Sequence, residues 1–239
     1  MWNYNLGLIF NSLVKKNNDN IALIINNKKF SFNYLDKRSN QVANWLRNNG
    51  YKKDDVICIS SKKVIETYII MIACIKLGVS YTHFDQKSPS NRNIKIFNTL
   101  KPKGIFFYDN QSSAYRIKYK KYEIENLLNF FDKESKILSL EILRKITSKT
   151  IAYIMFTSGS TGEPKGVAIS HSNLINFIKW VKIEYNIANK DVCTNLNSLF
   201  FDNSVFDLFG CLFNGASVIA INRNQLINPV KLYSIFKKY

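Results

Sequence analysis

The chain has 239 residues, 46% hydrophobic and 14% aromatic, enough for a substantial core in one or two domains. Charged residues make up 21%, which excludes a disordered tail. The net charge of +17 raises nucleic acid or an anionic surface as partners. However, the lysines are scattered, and only Lys118–Lys121 clusters, so no specific nucleic-acid partner is expected.

Residues 1–20 read as an opening helix or turn around Leu6, Ile9, Phe10 and Leu13. Ile21 to Phe32 forms a β-hairpin turning at Asn26-Asn27, where positive φ is tolerated. A helix follows, with Leu35, Val42, Ala43 and Leu46 on one face, a cap at Ser31 or Asn33 and a stop at Gly50. Asp55–Ser60 is a buried strand, Val64–Leu77 an apolar helix ending at Gly78, and GVSYTHFD a returning strand. That order is a βαβ unit and predicts a parallel sheet. Another helix spans Arg92–Leu100, and a strand spans Gly104–Tyr108. Asp109–Lys149 is charged, without Gly or Pro, and reads as a peripheral connection with one amphipathic helix near Ile137–Ile146.

The longest apolar run, Tyr68–Ile75, is too short to span a bilayer, and the N-terminus lacks a basic region and cleavage site. Cys58, Cys74, Cys193 and Cys211 are distant in sequence and form no C-x-x-C pair. They predict reduced, buried thiols in a cytoplasmic protein. Two histidines, His83 and His171, offer no metal-site spacing.

Ile151–Gly166, IAYIMFTSGSTGEPKG, carries the chemistry. A β-prone run delivers Thr157, Ser158, Gly159, Ser160, Thr161 and Gly162, then Pro164, Lys165 and Gly166, before a second apolar run, Val167–Ile169. Glycines let backbone N–H groups turn toward an anion, hydroxyls add donors, and lysine adds a point charge. The spacing is not G-x-x-x-x-G-K-[ST], and Pro164 disfavours a helix at the residue before it. The expectation is a phosphate loop between two buried strands. Beyond it, His171–Tyr185 reads as a helix capped by Ser170 or Ser172, and Val192–Asn197 as a strand. Asp202–Asn214 is a helix, Ser217–Ile221 a strand, and Asn228-Pro229 opens a last helix.

YIMFTSGSTGEPKGVAISHSNL resembles the signature of the adenylate-forming (AMP-binding) superfamily, which includes nonribosomal peptide synthetase adenylation domains and D-alanine–carrier-protein ligases. FSFNYLDKRSNQVANWLRNNGYKKDDVICI, CIKLGVSYTHFDQKSPSNR and FFDNSVFDLFGCLFNGASVIAI are similar to further family segments, in family order over residues 20–239. Thr82-His83 stands where Val-Pro is usual.

The resemblance implies an α/β fold, with βαβ units and mainly parallel sheets flanked by helices. It also implies ATP with Mg²⁺, and activation of a carboxylate to an acyl-adenylate with release of pyrophosphate. Thr157 to Gly162, Lys165 and Gly166 match the phosphate loop. Phe201-Asp202-Asn203-Ser204-Val205-Phe206 is similar to the F-D-x-S-V pattern of amino-acid-activating members. There the aspartate meets the substrate ammonium, and the positions of Asn203 and Phe206 line the side-chain pocket. Asp202 also suits a helix cap. His171-Ser172-Asn173-Leu174 matches a family His-x-Asn-Leu, with His171 read as a helix-start residue bonded to backbone.

No later segment matches the family's Y-G-x-T-E, T-G-D, hinge or C-terminal catalytic lysine. Residues 1–239 are therefore expected to be the N-terminal part of an AMP-binding domain, incomplete and without the C-terminal subdomain. An uncovered sheet edge and core face would call for a partner. Such a chain would need a complementing C-terminal polypeptide, and a carrier protein as acyl acceptor. The alternative is an inactive remnant or an interaction half-domain.

Overall fold

The computed structural model describes residues 4–125, 138–158 and 163–239. Helix α1 (Leu6–Asn17) starts at Asn5, whose side chain accepts the Leu8 N–H at 3.0 Å. The same side chain donates to the Leu143 and Ile146 carbonyls at 3.0 and 2.9 Å, so one buried asparagine both caps α1 and anchors a distant segment. Strands β1 (Ile21–Ile25) and β2 (Lys28–Ser31) form the expected hairpin. Asn26 and Asn27 take φ of 48° and 65°, the left-handed pair that a two-residue turn requires. Ser31 caps α2 (Phe32–Asn48) by accepting the Tyr34 N–H.

Strand β3 (Val56–Ser60), helix α3 (Ile65–Leu77) and strand β4 (Ser80–Phe84) form the βαβ unit, with β3 and β4 parallel from Val56↔Ser80 to Ser60↔Phe84. Gly78, at φ 75°, closes α3 in the left-handed conformation. Helix α4 (Ser90–Leu100) leads to β5 (Gly104–Phe107), on the other side of β3.

The 109–149 segment contributes a strand as well as a helix. Strand β6 (Lys121–Glu123) pairs parallel with β5, and α5 (Leu140–Arg144) is short. Three residues, two of them charged, carry no apolar alternation. The pairing is supported by Tyr122 stacking on Phe106, ring centroids 4.9 Å apart. Ile124, Leu138, Leu143 and Ile146 are buried in the main core, so the segment also helps to close that core.

Strands β7 (Ile151–Ser158) and β8 (Pro164–Ser170) follow, then α6 (His171–Tyr185) and β9 (Val192–Asn195). Next come α7 (Asn203–Val205), which runs into a π-helical turn over Phe206–Gly210, and β10 (Ser217–Ala220). Helices α8 (Arg223–Leu226) and α9 (Pro229–Lys238) complete the chain, the latter capped by Asn228.

Two sheets result, in the orders β2-β1-β10-β9 and β6-β5-β3-β4-β7-β8. Among the described residues only the β1–β2 and β7–β8 pairs are antiparallel, as a mainly parallel α/β architecture requires. Helix α3 lies against α1 and α2 and is apolar on all sides because it is buried on all sides. No helix among the described residues is long and apolar enough to cross a membrane.

Lys76 is the charge inside this layer, wholly buried on α3. Its Nζ donates to Asp36 Oδ1 at 2.7 Å and to Ser39 Oγ and Asn40 Oδ1 at 2.8 Å, all on α2. Burial lowers its pKa to about 8, against the opposing pull of Asp36, so it remains an ammonium at neutral pH. Breaking a buried pair by removing one partner costs about 3–5 kcal/mol. Urea unfolding of Lys76→Ala is expected to show a loss of that size. Lys76→Met, which keeps the stem packed, should recover part of it.

Candidate functional site

The phosphate-loop sequence lies on the β7–β8 hairpin. Its register sets Phe156 against Gly166, Thr157 against Lys165 and Ser158 against Pro164, and Thr157 and Lys165 are both exposed. Gly159, Ser160, Thr161 and Gly162 lie outside the described residues. β7 runs parallel to β4, so its last residue, Ser158, stands at the carboxyl ends of the parallel strands, where open α/β sheets bind ligands. Gly166 has a packing reason. A Cβ there would come within 3.1 Å of Ile154 Cγ2 and Phe156 Cζ, so a side chain would push these neighbours aside.

The two strands are not both buried. β8 is exposed over Lys165–Ala168 because it forms the outer edge of its sheet, and Val167 stands in solvent. The apolar run Val167–Ile169 has the composition of a core strand, but Val167 and Ala168 are exposed and Ile169 alone packs against the core. Glu163 pairs with Lys95 of α4 at 2.6 Å, which leaves Lys165 as the hairpin's cation without a salt-bridge partner among the described residues.

Backbone pairing between β4 and β7 is sparse, registered at Tyr81↔Tyr153. Two hydroxyls complete the seam, Ser80 Oγ donating to the Ile151 carbonyl and Thr82 Oγ1 to the Ile154 carbonyl, each at 2.8 Å. Thr82 thus has a structural use that the usual valine could not supply.

A narrow cleft opens on this seam, with a cavity volume of about 20 Å³. β4 contributes Tyr81 and His83, β7 contributes Tyr153 and Met155, and α7 with its π turn contributes Ser204, Val205, Leu208 and Phe209. π turns inside helices recur at functional sites because they re-aim side chains. Asp202 caps α7, its carboxylate accepting the Asn203 N–H at 2.9 Å, and it is exposed. Burial, and secondarily the Asp202 charge, push the Tyr153 phenol up to about 12, so Asp202 borders the cleft at the Tyr153 side. Asn203 is exposed, and Phe206 packs against Tyr185 and Phe177, with centroids at 5.0 and 6.4 Å.

Both histidines are buried. His171 Nδ1 accepts the Leu6 N–H at 3.0 Å, the helix-start backbone role read from sequence, and burial lowers its pKa to about 4. His83 has neither ring nitrogen hydrogen-bonded. Burial lowers its pKa to about 4, and the Ile59 carbonyl opposes this only weakly, being near without hydrogen-bond geometry.

All four thiols are free, three buried and Cys193 half-buried. Cys193 and Cys211, distant in sequence, come together in the fold. A hydrogen bond between them lowers the Cys193 pKa and raises that of Cys211.

The residues that would meet a nucleotide are hydroxyls and a lysine, which fit phosphate oxygens. Among the described residues no group of three or more His, Cys, Asp and Glu could hold a metal.

The hairpin, the mainly parallel sheets and the Asp202-capped helix define an α/β protein built around a Ser/Thr/Gly-rich hairpin that ends in Lys165. Residues 10–239 match the AMP-binding enzyme family, and the chain belongs to it. It is 33% identical over 223 residues to bacitracin synthase 1 of Bacillus licheniformis, covering 93% of this chain and 4% of that protein. It is 31% identical to zwittermicin A synthase ZmaJ of Bacillus cereus, covering 88% of this chain and 39% of that protein. In fold it resembles the Klebsiella oxytoca NpsA N-terminal subdomain in complex with 3-hydroxyanthranilyl-AMSN. The TM-score is 0.79 at 21% identity, covering 91% of this chain and 53% of that one. The artificially fused NpsA-ThdA adenylation–PCP di-domain gives a TM-score of 0.86 at 20% identity, covering 98% and 46%. The chain thus spans a small part of the multidomain synthases and about half of the NpsA chains.

Tyr81, His83 and Tyr153 were not among the site residues read from sequence. The one signal was the departure at Thr82-His83. Both histidines predict acid sensitivity. Each has a folded pKa near 4 against an ordinary 6.5, so the unfolded chain takes up protons first. Their contribution is complete above pH 6.5 and is lost as pH falls to 4, by up to a few kcal/mol. Thermal unfolding should show Tm dropping through that window, with a shallower drop in His83→Leu.

Proposed function

We propose that this chain takes part in ATP-dependent adenylation of a carboxylic acid, specifically an amino acid. The carboxylate oxygen attacks the α-phosphorus, and the bond from that phosphorus to the oxygen bridging the β-phosphate breaks. Acyl-adenylate and pyrophosphate are the products. Little of this is covalent chemistry by the protein, so positioning and charge stabilisation carry the rate.

The observation that carries this reading is the hairpin, with Thr157 and Lys165 in register, exposed, at the carboxyl edge of parallel strands. In this reading Thr157, Ser158, Ser160 and Thr161 donate to the β- and γ-phosphates. Gly159, Gly162 and Gly166 let backbone approach them, and Lys165 neutralises charge on the departing pyrophosphate. In the same reading Asp202 takes the substrate ammonium, and Asn203 and Phe206 a part in the side-chain pocket, although from this element the cleft itself is lined by Ser204, Val205, Leu208 and Phe209. Mg²⁺ accompanies the nucleotide and offsets phosphate charge.

A complementing C-terminal polypeptide would supply adenine and ribose contacts. Its docking is favoured by the exposed β8 edge and by Val230, Tyr233 and Phe236 on α9, all in solvent. A carrier protein is the proposed acyl acceptor. Free thiols suit a reducing, cytoplasmic setting.

The test is amino-acid-dependent exchange of pyrophosphate into ATP, with and without the polypeptide encoded downstream. Exchange for at least one amino acid is expected. None under either condition would contradict the enzyme reading and leave an interaction half-domain. Lys165→Ala should slow exchange about a hundred-fold, the scale for losing one transition-state donor. Asp202→Asn should raise KM about ten-fold or more for an amino acid, with little change for the matching acid that lacks the amine.

A further inference from the structure

We propose that the floor of the cleft is a polar recognition subsite. In it His83, flanked by Tyr81 and Tyr153, hydrogen-bonds an uncharged polar group, a hydroxyl or an amide, borne on the substrate's side chain. This rests on reading the cleft as the acyl pocket.

The argument begins with an anomaly. His83 is 9% exposed and lines the cleft, yet both Nδ1 and Nε2 lack a partner. Buried polar groups in folded proteins are nearly always hydrogen-bonded, and an orphan calls for an explanation. The side chains around it cannot supply one, because Met71, Met155, Leu199, Leu208 and Phe209 are apolar, and the nearby Ile59 carbonyl lies outside hydrogen-bond geometry. The remaining hydroxyl, Ser204 Oγ, is committed to the Phe201 and Leu199 carbonyls at 2.6 and 3.3 Å.

Two phenols share the floor. Tyr81 lies edge-on to His83 with ring centroids 5.3 Å apart, and Tyr153 lies 6.0 Å from Tyr81. Neither phenolic hydroxyl hydrogen-bonds to the described residues. Three rings that carry polar atoms therefore line an otherwise apolar cleft.

The ligand's charge follows from the imidazole. Burial keeps His83 neutral, so it offers one N–H donor and one bare nitrogen acceptor. A hydroxyl or amide answers both. A carboxylate would need the imidazole protonated in an apolar site, and an ammonium would find no anion on this floor. The charged residue in range, Asp202, borders the cleft and is reserved for the α-ammonium.

The chain has two histidines, so NMR of histidine ring nitrogens reads His83 against His171 as an internal control. The wild-type chain is titrated, without ATP, with matched pairs: phenylalanine and tyrosine, valine and threonine, leucine and asparagine. In at least one pair the polar member should bind about ten-fold more tightly and shift the His83 signals, with those of His171 unmoved. His83→Leu should erase the preference while keeping apolar binding, and His83→Gln should retain part of it. Equal or apolar-favouring affinity in every pair overturns the proposal. So does the absence of any His83 shift, or a preference that survives in His83→Leu. Pyrophosphate exchange that favours apolar amino acids would sink the subsite and leave adenylation standing. Polar-selective binding without exchange would do the reverse.

Discussion

A single ammonium ties the two sheets together. Lys63, in the turn between β3 and α3, donates to the carbonyls of Asn195, Leu196 and Ile221 at 2.7, 2.9 and 2.9 Å. Those carbonyls sit where β9 and β10 end, so a residue of the six-stranded sheet's frame clasps the carboxyl edge of the four-stranded one. An ammonium has three donors, and here all three are used. Burial lowers its pKa to about 8, opposed by Asp207, so the proton is retained at neutral pH.

The tie continues into the site. Tyr68 of α3 donates to Asn195 Oδ1 at 2.8 Å, and Asn195 Nδ2 donates to Asp207 Oδ2 at 3.1 Å. Asp207 lies in the π turn after α7, the element that carries Asp202 and one wall of the cleft. The hairpin belongs to one sheet and the Asp202 helix follows a strand of the other. Their meeting over one cleft depends on the sheets holding a fixed relation. The apolar core fixes distance, and directional bonds to three carbonyls fix orientation as well.

Much of this was legible in the chain. Local signals were strong wherever one residue had one conformational job. Asn26-Asn27 gave the hairpin turn, Gly78 the left-handed cap, and Ser170 the cap of α6, completed by Asn173 in a capping box. The β7–β8 hairpin was readable because Pro164 bars a helix and two apolar runs flank the glycines. The parallel pairing of β1 with β10 was not, since its partners are about two hundred residues apart and no local pattern records them. β6 was missed because an edge strand of three polar residues has no period. The exposure of β8 was missed because its composition is that of a covered strand. Lys63 was invisible, and the orphaned ring of His83 could not be read from the departure at Thr82-His83 alone, for a related reason. A lone lysine or histidine looks alike in a chain whether its neighbours are water, carbonyls or an empty cleft.

Family membership and fold similarity fit this division of labour. The AMP-binding match runs over residues 10–239, which take in the hairpin, the βαβ unit and the Asp202 helix. The central claim is that the Lys63 clasp holds the Asp202 helix in place, and hydrogen exchange read by mass spectrometry tests it most directly. In Lys63→Met, β9, β10 and residues 203–210 should lose protection while β3, β4 and β5 keep theirs. Unchanged protection at 203–210, or an even loss across both sheets, would contradict it.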